Sequence, residues 1–78
     1  MRFLTDLQHW VATDPRTAAR VLRIVVEIAK NPQEGIGKPE RLKHGTHDYS
    51  RRITQEHRLI YRYDENHIEF AAARFHYE

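Results

Sequence analysis

No cysteine occurs among the 78 residues, which excludes a disulfide framework, a thiolate nucleophile and cysteine-bound metal, and suits a reducing compartment. Long apolar runs are also missing. The longest, Phe70 to Ala73, is far short of the roughly 20 residues of a membrane span, and the N-terminus lacks the charged, apolar and cleavage regions of a signal peptide. The expected location is the cytoplasm, with no membrane partner. Glycine and proline are scarce, three of each, and Pro32, Gly35 and Gly37 fall together between Asn31 and Lys38. They mark the passage from a helical half to a strand half within one domain, residues 1–78, rather than a linker. A chain of this size buries only about 60% of its unfolded surface. The glycines of Gly35-Ile36-Gly37-Lys38 lack the spacing and strand-to-helix setting of a nucleotide loop.

What the chain has is periodicity. Phe3, Leu7, Trp10 and Val11 recur at helical spacing, so the first dozen residues form a short amphipathic helix that persists only by docking, with Trp10 as packing anchor. Asp14-Pro15 supplies an N-cap and a first helical residue whose missing N–H is not needed. From there Ala18, Val21, Leu22, Val25, Ile28 and Ala29 build an apolar stripe to Lys30, and Asn31-Pro32 ends it.

The remainder reads as an antiparallel meander of three strands, residues 49–54, 57–63 and 68–75, with turns near Gln55-Glu56 and at Asp64-Glu65-Asn66. Period two puts Leu59, Tyr61 and Tyr63 on one face and Arg58, Ile60 and Arg62 on the other. The helices are expected to cover the first face and leave the arginines open. If the first turn holds an odd number of residues, Ile53 pairs with His57 and Arg52 lies directly opposite Arg58. Like charges so placed repel, which an intervening anion such as RNA phosphate would relieve. A two-residue turn would make the pair diagonal.

Net charge is only +2, but it is clustered: seven Lys or Arg stand against three acids between Lys38 and Arg62. A clustered basic surface permits phosphate binding. The same stretch carries specific motifs. Gly37-Lys38-Pro39-Glu40, then Leu42-Lys43-His44, Ser50-Arg51-Arg52-Ile53, Glu56-His57-Arg58-Leu59-Ile60-Tyr61 and a terminal Arg74-Phe75-His76-Tyr77 follow one another in an order that resembles the Txe/YoeB family of bacterial toxins, within the wider RelE/ParE superfamily. The resemblance spans nearly the whole chain.

That resemblance implies an α+β fold in which two N-terminal helices pack on one face of an antiparallel β-sheet, the RelE-like microbial RNase fold. The family's first β-strand is missing from this sequence, an absence expected to leave a sheet edge unpaired. The loop around Gly45 to Tyr49 also departs from the family's pattern. The implied activity is that of a type II toxin: a ribosome-dependent endoribonuclease cutting mRNA in the ribosomal A site, without metal or other cofactor.

RNA is cut without metal when a base takes the ribose 2′-OH proton, cations stabilise charge gathering on the phosphate oxygens, and an acid protonates the leaving 5′ oxygen. By the resemblance, Glu40 is the general base, Arg58 the main phosphate stabiliser, His76 the general acid and Tyr77 a substrate-positioning residue. Lys43 and Arg52 support the phosphate; His44, beside Lys43, is read from its position as touching RNA or simply water. Histidine suits the acid role because its ordinary pKa of about 6.5 makes both protonation states accessible near neutrality. His44 and His47 are three apart but lack a third ligand nearby, so a metal is not expected, and His57 is expected to buttress the strand pair. The implied partners are a YefM/Phd-type antitoxin, the bacterial ribosome with its mRNA, and a second copy in a homodimer or a toxin–antitoxin hetero-oligomer. The alternative is a catalytically degenerate module of the same fold that binds antitoxin or ribosome without cutting.

Overall fold

The structure, a computed structural model, describes residues 2–42 and 47–75. Helices α1 (Arg2–Thr13) and α2 (Pro15–Lys30) are followed by strands β1 (Glu40–Arg41), β2 (Tyr49–Arg52), β3 (Arg58–Tyr63) and β4 (Ile68–Ala72). The strands form one antiparallel sheet in the order β1-β2-β3-β4. The meander is therefore as read, with a further two-residue strand at its β2 edge. The ladders are also shorter than the sequence suggested, since residues 53–54, 57 and 73–75 lie outside them.

A single residue, Asp14, joins the helices, and its carboxylate starts α2. Oδ2 accepts the Thr17 hydroxyl at 2.8 Å and Oδ1 the Thr17 N–H at 3.4 Å, satisfying a donor that has no partner inside the helix. These bonds, the hydroxyl's foremost, hold the Asp14 carboxyl below its ordinary value. At the other end Asn31 caps α2, and its side chain accepts the N–H groups of Gln33 and Glu34.

The core lies between the helices and one face of the sheet. Phe3 and Trp10 of α1 and Ala18, Val21, Ile24 and Ile28 of α2 meet Ile53, Leu59, Tyr61 and Ala73. α1 also carries a buried carboxylate, Asp6, in phase with Phe3 and Trp10. It accepts the N–H of Ala73 at 2.8 Å, and Trp10 Nε1–H donates to the carbonyl of the same residue at 2.7 Å. One residue just past β4 thus has both backbone groups satisfied by an i, i+4 pair on α1. Trp10 is the expected anchor, with this hydrogen bond added to its burial.

Arg51 is fully buried on the core face. Its guanidinium donates to Tyr61 Oη at 3.2 Å and to the carbonyls of Asn31, Glu34 and Ile36 at 2.5, 3.1 and 3.5 Å. Tyr61 Oη in turn donates to the Pro32 carbonyl at 2.8 Å. The segment between α2 and β1 is therefore wrapped around one side chain, which also takes up the carbonyl of Asn31, the cap at the negative end of α2. Its glycines are needed there. A Cβ on Gly35, at φ +136°, would stand 2.7 Å from Arg51 Nη1, and one on Gly37, at φ +85°, 2.9 Å from the Arg52 carbonyl.

Candidate active site

The β2–β3 connection determines what the open face presents. Ile53 N–H bonds the His57 carbonyl at 2.9 Å, and Thr54 Oγ1 accepts the N–H groups of Glu56 and His57 at 3.3 and 3.2 Å. Residues 54–56 form the loop, an odd number, so Arg52 lies directly opposite Arg58. Paired residues share a face. Glu40 is opposite Ser50, Ser50 opposite Ile60 and Ile60 opposite Ala72, so this row lies on the face that carries Arg52 and Arg58. Ser50, Ile60 and Ala72 are buried, whereas Glu40 and Arg52 are exposed and Arg58 half-buried. The result is a small, uncharged floor with a carboxylate on one strand and two guanidinium groups one row away. Glu40 is two strand spacings from Arg58, about 10 Å across the sheet and about 7 Å along it at the backbone, room for a phosphodiester between long side chains.

The two arginines differ in engagement. Arg58 Nη1 reaches back to the carbonyls of Thr54, Gln55 and His57 at 3.2, 3.4 and 3.4 Å, all neutral acceptors, so its charge is held in place without being cancelled. Arg52 uses its main chain instead. Its N–H donates to the Gly37 carbonyl at 2.6 Å, which holds the segment leading to Glu40 against β2, and its carbonyl accepts from Arg20 at 3.4 Å. Lys38, two residues before Glu40, sits at φ +52°, a left-handed conformation uncommon for a residue with a side chain.

Arg62 shares the face but not the role suggested by its charge. It lies 2.9 Å from Asp48 through Nη2 and 3.9 Å from Glu69 through Nε, so two carboxylates offset it. On this face, among the described residues, the positive charge without a carboxylate partner lies at Arg52 and Arg58. Away from this face Tyr49, Tyr61 and Tyr63 cluster, and burial, then the Tyr49 hydroxyl, raises the Tyr63 phenol above its ordinary value. At the β3–β4 turn, the N–H groups of Asn66 and His67 hold the Asp64 carboxyl below its ordinary value.

The chain leaves β4 toward the same corner. Phe75 N–H donates to His57 Nδ1 at 2.8 Å, and the Phe75 carbonyl accepts Arg58 N–H at 2.9 Å. Its backbone is left-handed, φ +70°, a conformation that costs a non-glycine residue about 1–3 kcal/mol and persists only where its surroundings hold it. His57 thus buttresses this corner by a hydrogen bond as well as by its edge-on ring contact with Trp10, centroids 4.7 Å apart.

Of the seven residues expected in the site, Glu40, Arg52 and Arg58 are brought onto one face. Lys43, His44, His76 and Tyr77 lie outside the described residues. Sequence reasoning passed over Asp6 and the burial of Arg51. Both were signalled by phase: Asp6 falls three residues after Phe3 and four before Trp10, and Arg51 alternates with Tyr49 and Ile53.

Comparison with known proteins identifies the family. Residues 1–77 match the model of the YoeB-like toxins of bacterial type II toxin–antitoxin systems. The chain is 45% identical over 73 residues to the toxin YoeB of Mycobacterium bovis, covering 92% of this chain and 86% of that one. It is 41% identical over 73 residues to YoeB of Escherichia coli K12, covering 92% and 87%. Among solved structures, a YoeB/ParE toxin from Agrobacterium tumefaciens superposes with a TM-score of 0.92 at 35% identity, covering 99% of this chain and 93% of that one. The YoeB dimer of Staphylococcus aureus gives 0.89 at 40% identity, covering 97% and 90%, and YoeB in the heterotetrameric YoeB-YefM complex of the same organism gives 0.86 at 40%, covering 96% and 88%. With motifs, sheet and relatives in agreement, the chain belongs to the YoeB-like toxins of type II toxin–antitoxin systems.

Proposed function

We propose that this toxin is a ribosome-dependent endoribonuclease that cuts mRNA by metal-independent acid–base chemistry. The observation that carries the reading is the Arg52–Arg58 pair, two cations opposed across a ladder on the face that also carries Glu40. Opposed like charges cost stability, and a phosphodiester between them turns that cost into binding. In the proposed reaction Glu40 takes the 2′-OH proton, the 2′ oxygen attacks phosphorus, and Arg58, with Arg52 and Lys43, stabilises the charge that builds on the non-bridging oxygens. His76 protonates the departing 5′ oxygen, giving a 2′,3′-cyclic phosphate and a 5′-hydroxyl. Tyr77 and His44 position the RNA.

So small a surface has little room to orient RNA by itself, which is why the ribosome is assigned that task. A YefM/Phd-type antitoxin, as in the complex of the staphylococcal relative, is the proposed inhibitor, with acidic residues directed at the same arginines. The test maps 5′ ends on translated and untranslated copies of one message after induction. Cutting confined to the translated copy is expected, and equal cutting of both would overturn ribosome dependence. In the same assay His76→Gln is expected to lose about 10²-fold or more of its cleavage while still binding ribosomes. If the unmutated protein binds ribosomes without cutting, the non-catalytic reading replaces this one.

A further inference from the structure

We propose that His57 is a positioning residue for the C-terminal acid, an inference that rests on the assignment of His76 above. Phe75 immediately precedes His76 in the chain, and both its backbone groups are held by the start of β3. Its N–H is bonded to His57 Nδ1 at 2.8 Å and its carbonyl to Arg58 N–H at 2.9 Å. Two residues earlier Ala73 is held in the same two-sided way by Asp6 and Trp10. Such double fastening is what a strained left-handed residue at φ +70° requires. Burial does not account for it, since Phe75 is 49% exposed.

The clasp ties Phe75, the chain neighbour of the candidate acid, to the candidate phosphate stabiliser. Arg58 supplies one of its two bonds from its own backbone, so the residue before His76 is fixed relative to the residue whose guanidinium faces the phosphate. A proton donor must lie within hydrogen-bond reach of the leaving oxygen, and small misplacements of a catalytic group lower the rate steeply. His57 acts here as an acceptor through Nδ1, which puts its ring proton on Nε2. Its role is to hold backbone, with no proton transferred to substrate.

Two substitutions separate this acceptor from the ring's packing. His57→Phe keeps a ring against Trp10 and removes the acceptor; His57→Asn removes the ring and keeps an acceptor, Oδ1, at the place of Nδ1. On translating ribosomes His57→Phe is expected to slow single-turnover cleavage by about 10- to 100-fold with unchanged ribosome affinity, and His57→Asn to restore most of the rate. Hydrogen exchange at the Phe75 amide is expected to quicken in the first variant and stay slow in the second. A substrate with sulfur in place of the bridging 5′ oxygen at the cut site has a leaving group that needs no proton. It is therefore expected to rescue His57→Phe as it rescues His76→Gln, which general structural damage would not permit.

Full cleavage by His57→Phe, a loss that persists with the sulfur substrate, or a Phe75 amide that exchanges equally fast with and without the acceptor would overturn the proposal while leaving the nuclease reading intact. An unmutated protein that fails to cut either substrate would overturn that reading, and this inference with it.

Discussion

Arg51 and Arg52 are consecutive residues of β2 with the same side chain. Arg51 is fully buried against four oxygen acceptors, with no carboxylate among them. Arg52 is exposed on the opposite face, with no side-chain hydrogen bond or ion pair among the described residues. The pleat alone separates them, turning one guanidinium into the fold and leaving the other exposed on the open face. The buried charge is tolerated because carbonyl dipoles surround it; the exposed one forms no ion pair with an acid among the described residues. Arg62 shows the third possibility, a cation on the ligand face offset by acids.

The sharpest way to break this contrast is Arg51→Met, which keeps bulk and removes every donor. The carbonyls of Asn31 and Glu34 and the Tyr61 hydroxyl then lose a partner. A loss of about 3 kcal/mol is expected, or a fall in Tm of roughly 10–25 °C for a domain of this size, read by thermal unfolding. An unchanged Tm would show that the segment before β1 does not depend on this side chain. Next comes Arg58→Ala, expected to lower cleavage on ribosomes by about 10²- to 10³-fold, the range for removing a group that stabilises charge in the transition state, with stability changed by less than about 1 kcal/mol. A loss of stability in proportion to activity would place Arg58 with Arg51 instead.

Arg52→Ala is expected to have the opposite sign on the two axes. Cleavage falls by about 10-fold as one phosphate contact is lost, while the denaturant midpoint holds or rises, because relieving a cross-strand repulsion returns about 0.2–1 kcal/mol. A clear drop in midpoint would mean that the pair does not repel. The smallest effect belongs to Arg62→Ala, where an exposed ion pair worth about 0–1 kcal/mol is removed and cleavage stays within about twofold. A larger loss of cleavage would return Arg62 to the phosphate site.

Part of this was legible in the sequence because helical stripes and strand alternation encode burial, although Val11 and Leu22, read into the stripes, are exposed and Ile24, left out of them, is fully buried. The limits of α2 follow from Asp14-Pro15 and Asn31-Pro32, whereas the parity of the β2–β3 turn was open in the sequence, and only the three-residue turn of the structure sets Arg52 opposite Arg58. β1 was missed because two residues cannot display a period; only its pairing with β2 makes it a strand. The roles of Arg51 and Asp6 went unread for a related reason. Alternation shows that a charged residue points inward, but the partners that make burial tolerable are 20 residues away in one case and 67 in the other. Of the site, the sequence supplied the chemical groups and the sheet supplied their common face. Glu40 joins the arginines only through its register with Ser50.

Trp10 is the one tryptophan in the chain, bonded through its indole N–H to Ala73 and edge-on to His57. Its fluorescence is therefore a native optical reporter. Emission from an indole held in the core and hydrogen-bonded at Nε1 differs from that of one in water, so undocking of α1 and disturbance of the His57 corner both register in one signal without any attached dye. Stopped-flow mixing with antitoxin or ribosomes can follow that corner in real time.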